Sequence, residues 1–135
     1  MKGNCLCGQV VIDVTDRPAF LNLCNCEACF KLGAMWGYYS RDEVAIGGMP
    51  VSYVRADMTA PSLDFNFCIR CGATTHWSYI DPERSDRLGV NMRLFDFADL
   101  AGLEVRYGNR REFSKLDPGH VYHEPTTFLA TGATA

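Results

Sequence analysis

Apolar and polar residues alternate along most of this chain, and helical periodicity is scarce. Residues 9–14 read Gln-Val-Val-Ile-Asp-Val, a β-branched run that predicts a strand. Residues 63–67 alternate cleanly, with Leu63, Phe65 and Phe67 on one face and Asp64 and Asn66 on the other. Further strands are expected at 20–23, 35–39, 51–55, 73–79, 88–94 and 103–107, with Gly47-Gly48-Met49-Pro50 as a turn. Two short helices are expected, at 27–32 and at 95–100, the second with Asp96 available as a cap. The expected fold class is therefore mostly β. Residues 126–135 are small and polar and read as a loose tail.

Composition narrows the function. A chain of 135 residues is about one domain. At 47% hydrophobic and 21% charged residues it is globular rather than disordered. The formal charge of −3 makes it a poor partner for nucleic acid, whose phosphates bind through Lys and Arg neutralisation. No apolar stretch follows a basic start and none could span a bilayer, so a cytoplasmic protein without a membrane partner is expected. Disulfides rarely persist in that reducing compartment.

The seven cysteines fall into three tight clusters with none left over: Cys5 and Cys7, then Cys24, Cys26 and Cys29, then Cys68 and Cys71. An odd total at spacings of two and three residues suits metal ligation better than cross-linking. Gly8 and Gly72 follow the first and last clusters, where the exit from a metal knuckle needs a positive φ. Cys5, Cys7, Cys68 and Cys71 together supply four thiolates, a closed tetrahedral shell of the structural type. Cys24 and Cys26 share a side of an extended segment, and Cys29 follows at helical spacing. These three can hold one zinc ion and leave a fourth position for chemistry. In the alternative, His76, His120, His123 or Glu27 closes that shell and makes a second structural site. Two zinc ions per chain are expected, one structural and one catalytic.

The order Gly3-x-Cys5-x-Cys7-Gly8-x-Val10, Cys24-x-Cys26-x-x-Cys29, Phe67-Cys68-x-x-Cys71-Gly72 resembles the glutathione-dependent formaldehyde-activating family, which centromere protein V shares. The resemblance runs from about Gly3 to Tyr107, and Gly33-Ala34 and Asn91-Met92-Arg93-Leu94 also fit it. It implies packed antiparallel sheets like those of the zinc-binding Rab exchange-factor relatives. It implies the same division of cysteines, with Cys24, Cys26 and Cys29 at the active zinc. It also implies a carbon–sulfur lyase or synthase that makes S-(hydroxymethyl)glutathione from formaldehyde and a glutathione-like thiol. Two positions depart from the pattern. Asn25 stands where His is frequent, and Tyr107-Gly108-Asn109-Arg110 stands where an Asp-Gly turn is common. The division of the chain expected on this basis is a zinc-binding domain at 1–115 and a loosely packed extension at 116–135.

A thiol reaching such a metal is held as thiolate at neutral pH and can add to an aldehyde carbon. The rival is a zinc-stabilised interaction module without catalysis. Trp36, Tyr38, Tyr39 and Trp77 are candidates for a pocket wall, although strand aromatics more often fill a core. A thiol tripeptide with two carboxylates needs a cation beside it, for which Lys31 and Arg93 are candidates, while Arg110-Arg111 reads as a solvated turn. His76 reads as hydrogen-bonded or surface-exposed, and His120 and His123 as solvated.

Overall fold

The computed structural model describes residues 1–113 and 120–135. Two sheets dominate it. Strands β1 (Lys2–Asn4), β2 (Val11–Val14) and β5 (Val44–Gly47) form a three-stranded antiparallel sheet in that spatial order. The other eight form one sheet in the order β11 (Val121–Thr127), β10 (Glu104–Gly108), β3 (Leu21–Asn22), β4 (Trp36–Ser40), β9 (Arg87–Asn91), β8 (Thr74–Tyr79), β7 (Leu63–Cys68), β6 (Pro50–Val54). All pairs in it are antiparallel except β3 with β10, where Leu21 lies against Val105 in parallel. The helices are short: α1 is Glu27–Leu32 and α2 is Phe97–Leu100. Among the described residues no helix is long and apolar enough to cross a membrane.

The alternation of strand side chains gives the large sheet two different faces. One face packs Leu21, Tyr39, Leu88, Val90 and Val105 against Ile12 and Val14 of the small sheet, with Met92, Phe95 and Leu100 completing the core. The other face carries Trp36, Phe65 and Trp77, flanked by Tyr38, Leu63 and Tyr79. β4 divides between them: Trp36 and Tyr38 face the second side, and Tyr39 faces the core. Gly89 sits opposite Trp77 on the neighbouring strand. A Cβ there would lie 2.0 Å from the indole Nε1, so the missing side chain is what lets the Trp77 ring lie across β9.

Most expected elements form near their expected bounds. Residues 27–32 are helical as read, and Gly33 ends that helix at φ 62°. The strand expected at 88–94 stops at Asn91 and continues as a 3₁₀ turn over Met92–Leu94. The helix expected at 95–100 starts at Phe97, and the Asp96 side chain makes no capping bond.

The C-terminal segment is where expectation and structure part. Residues 126–135 are not loose: Thr126 and Thr127 belong to β11, which pairs with β10. The chain then turns back, so that Phe128 bridges to Thr134 and the Thr127 and Ala135 backbones exchange hydrogen bonds of 2.8 and 3.1 Å. Phe128 is 5% exposed and packs in the main core against Phe97, their ring centroids 6.1 Å apart. The expected boundary at 115/116 lies outside the described residues. Phe128→Ala should therefore cost about 3–5 kcal/mol, as for other buried Phe truncations, in urea denaturation monitored by circular dichroism. An unchanged midpoint would mean that this aromatic is not part of the core.

Candidate metal centres and active-site cleft

Two turns of the same design bring the first four cysteines together. In the turn between β1 and β2 the Cys5 N–H donates to Val10 O at 2.9 Å and the Gly8 N–H to Cys5 O at 2.9 Å. In the turn between β7 and β8 the Cys68 N–H donates to Ala73 O at 2.9 Å and the Gly72 N–H to Cys68 O at 2.8 Å. Gly8 and Gly72 have φ of 80° and 75° with open space around them, so conformation rather than crowding requires glycine. The sulfurs of Cys5 and Cys7 lie 3.6 Å apart, as do those of Cys7 and Cys68, and all four are within 4.8 Å of one another.

That spacing fits zinc. Sulfurs at 2.3 Å on a tetrahedron sit about 3.8 Å apart, whereas a disulfide would need about 2.05 Å. The acidities agree. The Ala73 N–H brings the Cys71 thiol down to about 6, with Cys7 N–H and the neighbouring thiols helping. The Gln9 N–H acts to lower Cys7, but desolvation and the three neighbouring sulfurs push it up to about 11. Four thiolates so close cannot all be charged unless a cation joins them.

Cys24, Cys26 and Cys29 lie at the start of α1. Their sulfurs are also within 4.8 Å of one another, and among the described residues no His, Asp or Glu joins them at that distance. Each sulfur accepts an N–H: Cys24 from Cys26 N at 3.4 Å, Cys26 from Cys29 N at 3.4 Å, and Cys29 from the Trp36 indole Nε1 at 3.2 Å. Three donors aimed at three sulfurs favour thiolate character. Hydrogen bonds from Cys24 and Cys29 pull Cys26 far down, and the same contacts push both partners up. One of the three therefore ionises readily and the others resist, again until a cation is shared.

The alternative ligands lie elsewhere. Glu27 pairs with Lys31 at 2.7 Å along the exposed side of α1. His76 is buried against Thr75 Oγ1 at 3.0 Å, and burial brings it down to about 4. His120 stacks on Phe113 with centroids 3.7 Å apart, and His123 lies against Tyr107. Asn25, between two of the cysteines, turns away: its amide donates to Asn109 Oδ1 at 2.9 Å, and Arg111 Nε donates to its carbonyl at 2.6 Å. Asn25 thus ties the loop after β10 to the cysteine cluster.

The three sulfurs open onto a cleft of about 330 Å³, large enough for a small ligand. Trp36, Tyr38 and Trp77 line it, with Asn22, Leu63 and Phe65 beside them. Tyr39, also a candidate for this wall, lies in the core instead. Burial pushes the Tyr38 phenol up to about 12, against the Asn22 bond that lowers it. Two guanidiniums, Arg55 and Arg110, reach the cleft, and among the described residues no Asp or Glu lines it. The sequence points to neither arginine as the cation, and Arg110 belongs to a stretch that reads as a solvated turn. Lys31 instead pairs with Glu27, and Arg93 borders a separate hollow beside Cys5 and Gly72.

Comparison with known proteins now bears on this geometry. The model of the glutathione-dependent formaldehyde-activating enzyme family matches residues 1–107. The chain belongs to this family. No curated protein matches it. A crystal structure of a Rhodobacter sphaeroides protein is similar over 71% of this chain and 88% of its own, at 26% identity and a TM-score of 0.59. Family membership supports a function of the glutathione-dependent, formaldehyde-activating type. The match includes all seven cysteines and ends before Arg110, so one wall of this cleft comes from beyond the matched region.

Proposed function

We propose that the protein catalyses carbon–sulfur bond formation or cleavage between a carboxylate-bearing thiol of the glutathione type and a small aldehyde. The observation that supports this best is three cysteine sulfurs set in an aromatic cleft whose charged lining side chains, among the described residues, are Arg55 and Arg110. The donor sets fit two zinc ions, with Cys5, Cys7, Cys68 and Cys71 holding a structural one and Cys24, Cys26 and Cys29 a catalytic one. Zinc held by those three cysteines would supply a position where an incoming thiol is kept deprotonated. Trp36 fixes Cys29 through its indole N–H, as outer-shell donors commonly orient ligands. Trp36 and Trp77, packed edge to face at 6.4 Å, give the cleft an apolar wall beside the cysteines.

Arg55 and Arg110 would hold the carboxylates of the thiol. Arg55 is already clamped by Asp57 at 2.6 and 3.0 Å, whereas Arg110 has no ion-pair partner among the described residues. Arg110→Ala should raise the KM for glutathione about tenfold, the low end for a charge-assisted bond at an exposed site. The KM for cysteamine, a thiol without a carboxylate, should not move. Equal changes for the two thiols would exclude carboxylate recognition by Arg110.

The deciding experiment pairs zinc analysis with turnover of the hydroxymethyl thiol adduct, followed by exchange measurements that capture the rate above the spontaneous background. Cobalt substitution adds a binding readout. A visible spectrum that changes with millimolar glutathione supports the reading. An unchanged spectrum together with background rates would favour the interaction module.

A further inference from the structure

We infer that Tyr38 is a catalytic residue whose phenolic O–H donates to the aldehyde oxygen while sulfur bonds to carbon. This rests on the reaction proposed above.

A relay of hydrogen bonds sets the direction of that proton. The backbone N–H of Gly108 donates to Asn22 Oδ1 at 3.2 Å, which fixes which end of the amide is the oxygen. The Asn22 Nδ2 group must then be the donor at its other contact, with the Tyr38 hydroxyl at 2.6 Å. Asn22 is 1% exposed, so this amide has no solvent alternative. The phenol oxygen is therefore an acceptor towards Asn22, and its own proton points elsewhere. Among the described residues nothing accepts it, and Tyr38 lines the same cleft as Cys24 and Cys29.

The ring cannot swing aside. The Arg87 guanidinium lies over it, 4.2 Å from the centroid, and Trp77 and Phe20 pack at 6.2 and 5.8 Å. Asn22 ends β3 and Cys24 follows two residues later, so the group that aims the phenol and one of the three clustered sulfurs share a segment.

The chemistry is an addition. The thiolate electron pair forms the C–S bond, and the C=O π pair moves to oxygen. Tyr38 stabilises that developing charge and passes its proton to it. The proton that left the thiol returns to the phenol through solvent, so thiol and aldehyde become the hydroxymethyl thioether with nothing oxidised or reduced. A fixed donor at this point acts where charge appears, the condition under which such donors are most effective.

Tyr38→Phe in the full chain keeps the ring and deletes the donor. The kcat/KM for adduct formation should fall about 100-fold or more, with the glutathione KM and the zinc content unchanged. A binding measurement needs no turnover. By calorimetry, Tyr38→Phe should weaken the S-formyl thioester of glutathione roughly fivefold, because its carbonyl sits where the aldehyde oxygen would. It should leave S-methylglutathione, which has no such oxygen, unaffected. Wild-type rates and an unchanged affinity ratio in Tyr38→Phe would overturn the donor role and leave the proposed reaction standing. A wild-type protein no faster than the spontaneous reaction would overturn that reaction, and the catalytic part of Tyr38 with it.

Discussion

Cys68→Ser should abolish cooperative folding. Cys68 is fully buried, and its sulfur meets that of Cys7 across 61 residues of sequence. Structural four-thiolate zinc sites contribute on the order of 10–16 kcal/mol at neutral pH, while a domain of this size is stable by about 5–15 kcal/mol in total. Serine is a poor zinc ligand, so most of the site's contribution is lost and little net stability remains. A strong chelator should do the same to the wild type. The check is thermal denaturation by circular dichroism with zinc analysis on the same sample. A sharp transition within a few degrees of the wild type would show that these cysteines do not hold the fold together.

The second large effect is expected at Cys26, and there the fold should survive. Cys26 caps α1, its sulfur accepting the Cys29 N–H at 3.4 Å. Serine caps helices well, so Cys26→Ser preserves that bond and removes only the proposed metal-ligating sulfur. Because outer-shell changes alone typically cost 10–100-fold, loss of a ligand should lower turnover by more than about 100-fold. The zinc content should drop by one per chain while the melting temperature shifts by a few degrees at most. Equal collapse of Cys26→Ser and Cys68→Ser would erase the division between a structural and a catalytic centre. Full activity in Cys26→Ser would remove the three-cysteine cluster from the chemistry.

The contrast explains what could be read from the sequence. The gathering of the cysteines was legible because its signal is local: Cys5 with Cys7 and Cys68 with Cys71 sit within single turns, and the glycines that end those turns sit beside them. The short helix at Glu27–Leu32 was legible for the same reason. β11 was not, because strand recognition relies on an alternating buried face. Tyr122, His123, Glu124 and Pro125 are all exposed, so no alternation exists to read. Its hold on the protein comes from pairing with β10 and from Phe128 just beyond it.

The cleft cations were missed for a related reason. Lys31 is near the cysteines in sequence, yet one helical turn places it against Glu27 and away from the sulfurs. Arg110 is far in sequence and near in space, since Asn25 bonds Asn109 and Arg111 across 84 and 86 residues. Its partner Arg55 arrives from just past β6. The Trp36 bond to Cys29 had a faint trace, an indole seven residues after a thiol, but only the turn at Gly33 brings the two together.

The distance between the halves of the four-cysteine clamp also matters at birth. A ribosome adding about 5–20 residues per second needs roughly 3–12 seconds to pass from Cys7 to Cys68. For that interval the first two thiols of the nascent chain stand without their partners, open to oxidation. A metal ion shared by all four of these cysteines could close its shell only late in synthesis or after release.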